Sequence, residues 1–175
     1  MSSNKAGTTV SKGQTMCFEE VLALVGAVGN AQAIVVEGQP GIGKTAMANI
    51  LAKRLKMRAL VVDCATMVDG GDVTIPWMEQ GVFTHKPNSM FGTHDDVPMV
   101  ICLDEIGKAN KSVIAAITPI LRDHKVAGIP LPAGSIVYAT SNNVSDMVGD
   151  NIPAHIWNGV TAVQMRNPTV DEWLD

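Results

Sequence analysis

One octapeptide restricts the fold of this chain more than any other feature: Gly38-Gln39-Pro40-Gly41-Ile42-Gly43-Lys44-Thr45. Before it lies a β-branched run, residues 33–37 (AIVVE), which reads as a buried strand. After it, over residues 45–56, Met47, Ile50, Leu51 and Leu55 recur at helical spacing and predict an amphipathic helix. A strand, a glycine-rich turn and a helix in that order form a phosphate cradle. The glycines let the backbone turn so that several N–H groups face the phosphate oxygens, and the helix aims its positive end at the same place. Lys44 is expected to reach the β- and γ-phosphates, and Thr45 to place its hydroxyl on Mg²⁺. The candidate nucleotide-binding set is Gly38, Gln39, Pro40, Gly41, Ile42, Gly43, Lys44, Thr45 and Ala46.

The rest of the chain repeats the alternation of strand and helix. Residues 59–63 (ALVVD), 99–103 (MVICL), 135–140 (SIVYAT) and 160–165 read as four more strands. Residues 18–27 read as a short helix with Glu19 and Glu20 in its first turn. Asn110 is placed to cap another helix that runs to about His124, with a kink or a fresh start expected at Pro119. Residues 64–98 are polar and glycine-rich with weak periodicity, so short helices and mobile loops are expected there. Residues 1–15 read as a loose arm and 16–168 as the core. The fold class is α/β: a P-loop three-layer α/β/α sandwich around a parallel five-stranded sheet. Aromatic residues are only 4% of the 175, so Val, Ile, Leu, Met and Ala must fill the core, and the ten methionines read as adaptable filling.

In a parallel sheet, strands deliver their C-terminal residues to the edge where ligands bind. Strand 99–103 ends in Asp104-Glu105. Asp104 is the candidate ligand of Mg²⁺, and Glu105 the candidate base that orients and deprotonates an attacking water. Strand 135–140 ends in Ser141-Asn142-Asn143, where a neutral amide can bond the γ-phosphate without competing for the metal. The same residue types are also common in plain turns. Asp63 ends its strand near the same edge and reads as a turn cap or as a contact of the catalytic glutamate. Lys108 and Lys111 read as a solvated helix face, or as contacts of a neighbouring subunit.

Composition narrows the partners. The formal net charge is -4 with no basic stripe, which argues against direct nucleic-acid binding. Cys17, Cys64 and Cys102 are dispersed and read as buried free thiols, and His85, His94, His124 and His155 lack metal-ligand spacing. The first twelve residues lack the apolar stretch of a signal peptide, and no apolar run approaches the ~20 residues of a spanning helix, so the expected location is cytoplasmic.

The three sites, in this order, resemble the AAA+ superfamily. GQPGIGKT is similar to its Walker A motif, MVICLDE to Walker B, and VYATSNN to sensor 1, which nominates Asn142. The segment LDEIGKANKSVIAAITPILRDHKVAGIPLPAGSIVYATSN resembles more closely the MoxR-like and dynein-related branches, in which a hairpin, here residues 125–135, precedes sensor 1. The resemblance implies a sheet order of 5-1-4-3-2 and a hexameric homo-oligomeric ring with ATP bound between neighbouring subunits. It further implies ATP hydrolysis coupled to remodelling of a protein partner, often one with a von Willebrand factor A domain.

Two departures stand out. Family members carry a helical lid after the fifth strand, and here a helix starting near Thr169 meets the end of the chain at Asp175, so residues 169–175 resemble the first helix of a lid cut short. Family members also present an arginine finger shortly before the fifth strand. The matching stretch is His155-Ile156-Trp157-Asn158-Gly159-Val160, and no arginine lies between Arg122 and Arg166. Trp157 and Gly159 mark the positions where an arginine is missing, with Arg122 as the alternative finger. A finger is worth about 10³–10⁵ in rate. The readings therefore stand as a MoxR-like ATPase, a hydrolysis-poor ATP-binding module that needs a partner's arginine, and a nucleic-acid-directed AAA+ motor.

Overall fold

The computed structural model describes residues 15–142 and 159–169. The expected arm up to residue 14, Asn143, Trp157, His155 and the helix after Thr169 lie outside the described residues.

Ten strands and three α-helices follow one another among those residues: β1 (Thr15–Met16), α1 (Phe18–Val28), β2 (Ile34–Glu37), α2 (Met47–Leu55), β3 (Arg58–Asp63), β4 (Thr74–Glu79), β5 (Val82–Pro87), β6 (Met99–Asp104), α3 (Lys111–Asp123), β7 (Lys125–Val126), β8 (Ile129–Pro130), β9 (Ile136–Ser141) and β10 (Thr161–Met165). The main sheet is parallel throughout, in the order β1-β10-β2-β9-β6-β3. Numbering the five expected strands in chain order gives 5-1-4-3-2, as expected, with one addition. Thr15 and Met16 pair with Gln164 and Met165 and make a sixth, two-residue edge strand. Thr15 was expected in the loose arm; it sits in the sheet because β10 would otherwise leave a row of backbone groups unpaired at that edge.

Side chains alternate across the sheet and build a core on each face. On one face Ile34, Val36, Val100, Cys102, Ile136 and Tyr138 pack with α1 and α2. On the other Val35, Ile101, Leu103, Val137 and Ala139 pack with α3. Central strand β6 has its first five residues buried, which is why its sequence is apolar without alternation. Cys64 and Cys102 are buried free thiols, both pushed up to about 12 chiefly by burial. Cys17 is only half-buried, because it lies just before the first turn of α1, where its N–H donates to Glu20 Oε2 at 2.8 Å.

Three local expectations change. The regular part of α2 starts at Met47; residues 44–46 form turns, and the Met47 N–H bonds Gly43 O at 3.2 Å. Helix α3 runs across Pro119 as one element, with no fresh start. Its start is as expected: Asn110 Oδ1 accepts from the N–H groups of Ser112 and Val113 at 2.9 and 3.0 Å.

Residues 64–98 hold more than the expected short helices and loops. They hold two 3₁₀ turns and an antiparallel hairpin, β4–β5, with Met78 opposite Phe83 and Trp77 opposite Thr84. Its two-residue turn, Gln80-Gly81, has φ of 50° and 81°, the positive pair that a tight hairpin needs. The segment is anchored at its root. Val73 and Phe91 are buried, the Gly70 N–H donates to Ser112 Oγ at 3.1 Å, and Asn110 Nδ2 donates to Val68 O at 2.8 Å. Its outer part is exposed and apolar, with Met78, Val82 and Phe83 at 57%, 65% and 77% exposure.

The second hairpin falls where the family resemblance puts it. β7 and β8 pair antiparallel around Ala127 and Gly128, whose φ angles are 49° and 78°. No helix among the described residues is long and apolar enough to cross a membrane.

Candidate functional site

The loop between β2 and α2 leaves the sheet at Gly38 and folds back over its edge. A Cβ at Gly38 would lie 2.6 Å from Ile42 Cδ1 and 2.9 Å from Met165 O, so only glycine fits. Gly43 has φ +93°, and a Cβ there would meet the Phe18 ring at 3.1 Å. The two positions explain why this loop tolerates no side chain at either end.

Lys44 is buried, at 7% exposure. Its ammonium donates to the carbonyls of Gly38 and Gln39, both at 2.7 Å, and so ties the loop to its own helix. Burial lowers its affinity for a proton, and the charges of Asp104 and Glu105 oppose that shift. Its backbone carbonyl accepts a 3.0 Å bond from the Tyr138 hydroxyl on β9. Burial raises the Tyr138 phenol well above its ordinary range, so it stays a donor. Replacing Tyr138 with Phe removes this buried bond, at a cost of about 1–3 kcal/mol. The expected result is a thermal midpoint several degrees lower with the sheet intact, measured by circular dichroism.

Two strands, β6 and β9, converge on the cleft beside the loop. Thr45 Oγ1 donates to Asp104 Oδ2 at 2.8 Å. The other carboxylate oxygen of Asp104 accepts from the Thr140 hydroxyl, and that hydroxyl accepts from the Glu105 N–H at 3.0 Å. Thr140 therefore fixes both acidic residues from the neighbouring strand. Glu105 has φ 51° and ψ 42°, a left-handed conformation uncommon outside glycine and found disproportionately at functional sites. Both oxygens of its carboxylate accept from Lys108 Nζ at 2.8 Å.

The cleft measures about 310 Å³, near the lower end for a small-ligand site. It is lined by Pro40, Gly41, Gly43, Lys44, Thr45 and Ala46 from the loop, by Asp104 and Glu105 from the end of β6, and by Thr140 and Asn142 from the end of β9. The structure thus brings together most of the residues that the sequence nominates. Gly38 and Gln39 act instead from behind, through their carbonyls, and the Gln39 side chain is held by Asn167 Nδ2 at 2.8 Å. Ile42 packs against the core beneath α1 and α2.

An oxygen-only set of a threonine hydroxyl and a carboxylate, open to a phosphate ligand, suits Mg²⁺. Thr45 and Asp104 are the residues that would hold it. Asp63 is a turn cap: its Oδ1 accepts from the Ala65 N–H at 3.0 Å.

Lys108 departs from its reading as a solvated helix face, because the tight turn over Ile106–Lys108 folds it back onto Glu105. Thr140, Tyr138 and Lys108 were not singled out for the site by the sequence. For the first two a signal existed: polar groups in an otherwise apolar buried strand must find partners.

Around the missing arginine, Gly159 has φ +115°, so an arginine substituted there would be strained. The position its Cβ would take is 3.9 Å from Arg122 Cγ. Arg122, on the last turn of α3, therefore runs beside the expected finger position.

Comparisons place this geometry among known proteins. A proposed ATPase from Cytophaga hutchinsonii superposes with a TM-score of 0.60 at 20% identity, covering 89% of this chain and 48% of that one. The RuvB Holliday junction branch migration motor of Thermotoga maritima superposes at 0.55 and 20%, covering 88% and 46%. NtrX from Brucella abortus superposes at 0.54 and 14%, covering 90% and 38%. The likeness is one of fold, and this chain spans about half the length of the first two and less of the third. Comparison with curated proteins finds no match. A family model does match, over residues 33–143, from the strand before the phosphate loop to the end of the β9 cleft segment. The chain belongs to the AAA domain family, dynein-related subfamily.

Proposed function

We propose that this chain is the nucleotide-binding core of an AAA+ ATPase that binds Mg-ATP in the cleft and hydrolyses it. The observation that carries the reading is the convergence of Thr45, Asp104 and Glu105 beside the phosphate loop, joined by two threonine hydroxyls. In this reading the loop N–H groups and Lys44 hold the β- and γ-phosphates, and Asn142 bonds the γ-phosphate and the attacking water. Glu105 takes the proton as the water oxygen attacks the γ-phosphorus, and the β-phosphate oxygen leaves with ADP. Magnesium on Thr45 and Asp104 supplies charge neutralisation for the phosphates.

The finer reading is MoxR-like. Residues 16–168 form the core and 169–175 begin a lid. Copies assemble into a homo-oligomeric ring, a hexamer by family resemblance, in the cytoplasm, and turnover remodels a protein partner such as one with a von Willebrand factor A domain. Two observations support parts of it. The exposed apolar β4–β5 hairpin suits contact with another polypeptide, and Arg122 runs beside Gly159, the position at which the family resemblance would put a finger.

The test is the ATPase rate per chain, with and without magnesium, across protein concentrations, with Glu105→Gln as the blank. A magnesium-dependent rate that climbs with concentration is expected, because sites complete between subunits. A flat rate at the level of the blank, with ATP still bound, would instead make the chain a hydrolysis-poor binding module.

A further inference from the structure

Glu105 is the proposed base for a water, yet each of its oxygens already has a cationic partner. Each accepts from the same Lys108 ammonium at 2.8 Å. The geometry follows from the local backbone. Glu105 is left-handed, and the three residues after it form a single 3₁₀ turn in which the Lys108 N–H bonds Glu105 O at 2.9 Å. Residues three apart in such a turn eclipse one another, so the lysine stem folds directly over the carboxylate. A general base must present a lone pair to the proton it removes, within hydrogen-bond reach. An ammonium bridging both oxygens takes up one lone pair of each and its charge makes the remaining ones less basic, so the clasped carboxylate is a poorer base.

We propose that Lys108 is a positioning residue that parks Glu105, so that hydrolysis requires this ion pair to open. The proposal rests on the reading of Glu105 as the base. The side chains are 56% and 35% exposed, so the clasp is a weak one, in the range of surface ion pairs. It slows turnover modestly and is easily undone, as a device for holding a rate down between productive encounters must be. Nothing in it touches the phosphate loop, so nucleotide binding is unaffected.

The experiment compares the full chain with Lys108→Met, Lys108→Arg, Glu105→Gln and the double variant Glu105→Gln/Lys108→Met. Rates are taken at saturating Mg-ATP at low and high salt. The expected results are a kcat roughly two- to fivefold higher for Lys108→Met, with KM unchanged, and a wild-type kcat for Lys108→Arg, which keeps the clasp. Added salt screens an exposed pair, so it should raise kcat of the wild type and not of Lys108→Met. The double variant should be as slow as Glu105→Gln. An unchanged or lower kcat for Lys108→Met, including one where wild type and variant both stay at the blank, overturns the proposal. So does Lys108→Arg rising with Lys108→Met. If Glu105→Gln keeps the wild-type rate, the base assignment itself fails and the clasp falls with it. If Glu105→Gln is inactive and Lys108→Met matches wild type, only the clasp fails.

Discussion

Changing Glu105 to Gln should lower kcat by about 10²–10⁴-fold, the usual worth of a positioned general base, and leave ATP affinity unchanged. The separation of the two effects follows from the layout of the cleft. Glu105 makes its backbone bond to Thr140 and its side-chain bonds to Lys108, and neither partner belongs to the phosphate loop. The amide is the same size as the carboxylate, so the left-handed turn and the Thr140–Asp104 bond should persist. Isothermal titration with ATP and a phosphate-release assay on the same preparation measure both quantities. A matching loss of affinity would mean that Glu105 helps hold the nucleotide, and the base would have to be sought elsewhere.

Changing Lys44 to Met should give the converse pattern: ATP affinity about 10²-fold weaker and little change in folding stability. A hydrogen bond to a charged group contributes about 1.5–3 kcal/mol, and about 3 kcal/mol is a hundredfold in affinity. Stability is nearly unmoved because two effects offset. The variant loses the bonds to Gly38 and Gln39, but it also relieves a buried cation whose charged form is disfavoured by burial. Nucleotide titration together with thermal melting decides the matter. A collapse in the melting temperature with affinity preserved would show that Lys44 is a structural strut and that the loop amides alone hold the phosphates.

The strands were legible in the sequence for one reason, whereas their order came from the family resemblance. Buried parallel strands must be apolar, so AIVVE, MVICL and SIVYAT stand out; ALVVD stands out by its valines although edge strand β3 buries only Val62, and each of the four falls within a residue of an observed strand. The Asn110 cap was legible because it depends on a side chain with a local backbone preference, and the hairpin around Gly128 was supplied by the family resemblance. The β4–β5 hairpin was not. Pro76 argues against a strand, and Gln80-Gly81 lacks the Asn-Gly or Asp-Gly signature of a tight turn. Pro76 is tolerated because this ribbon has only two strands, so each strand has an outward edge where no N–H is needed. The Lys108 clasp escaped because it depends on Glu105 being left-handed, which nothing in Asp-Glu-Ile-Gly-Lys announces. The role of Thr140 depends on which strand lies beside β6, a fact of topology rather than of local sequence.

The root of the β4–β5 hairpin closes on itself: the Asn88 N–H bonds Val73 O at 3.0 Å, and Asn88 Nδ2 bonds Asp72 O at 3.1 Å. The two ends of the ribbon are thus pinned together before it leaves the body of the domain. Its length is then decoupled from the sheet, since residues added or removed beyond that clip change only the reach of an outward arm. The ribbon is a natural grafting port. A fluorophore, an epitope or a longer foreign hairpin could be inserted at Gln80-Gly81 without disturbing the strand ends that carry the cleft.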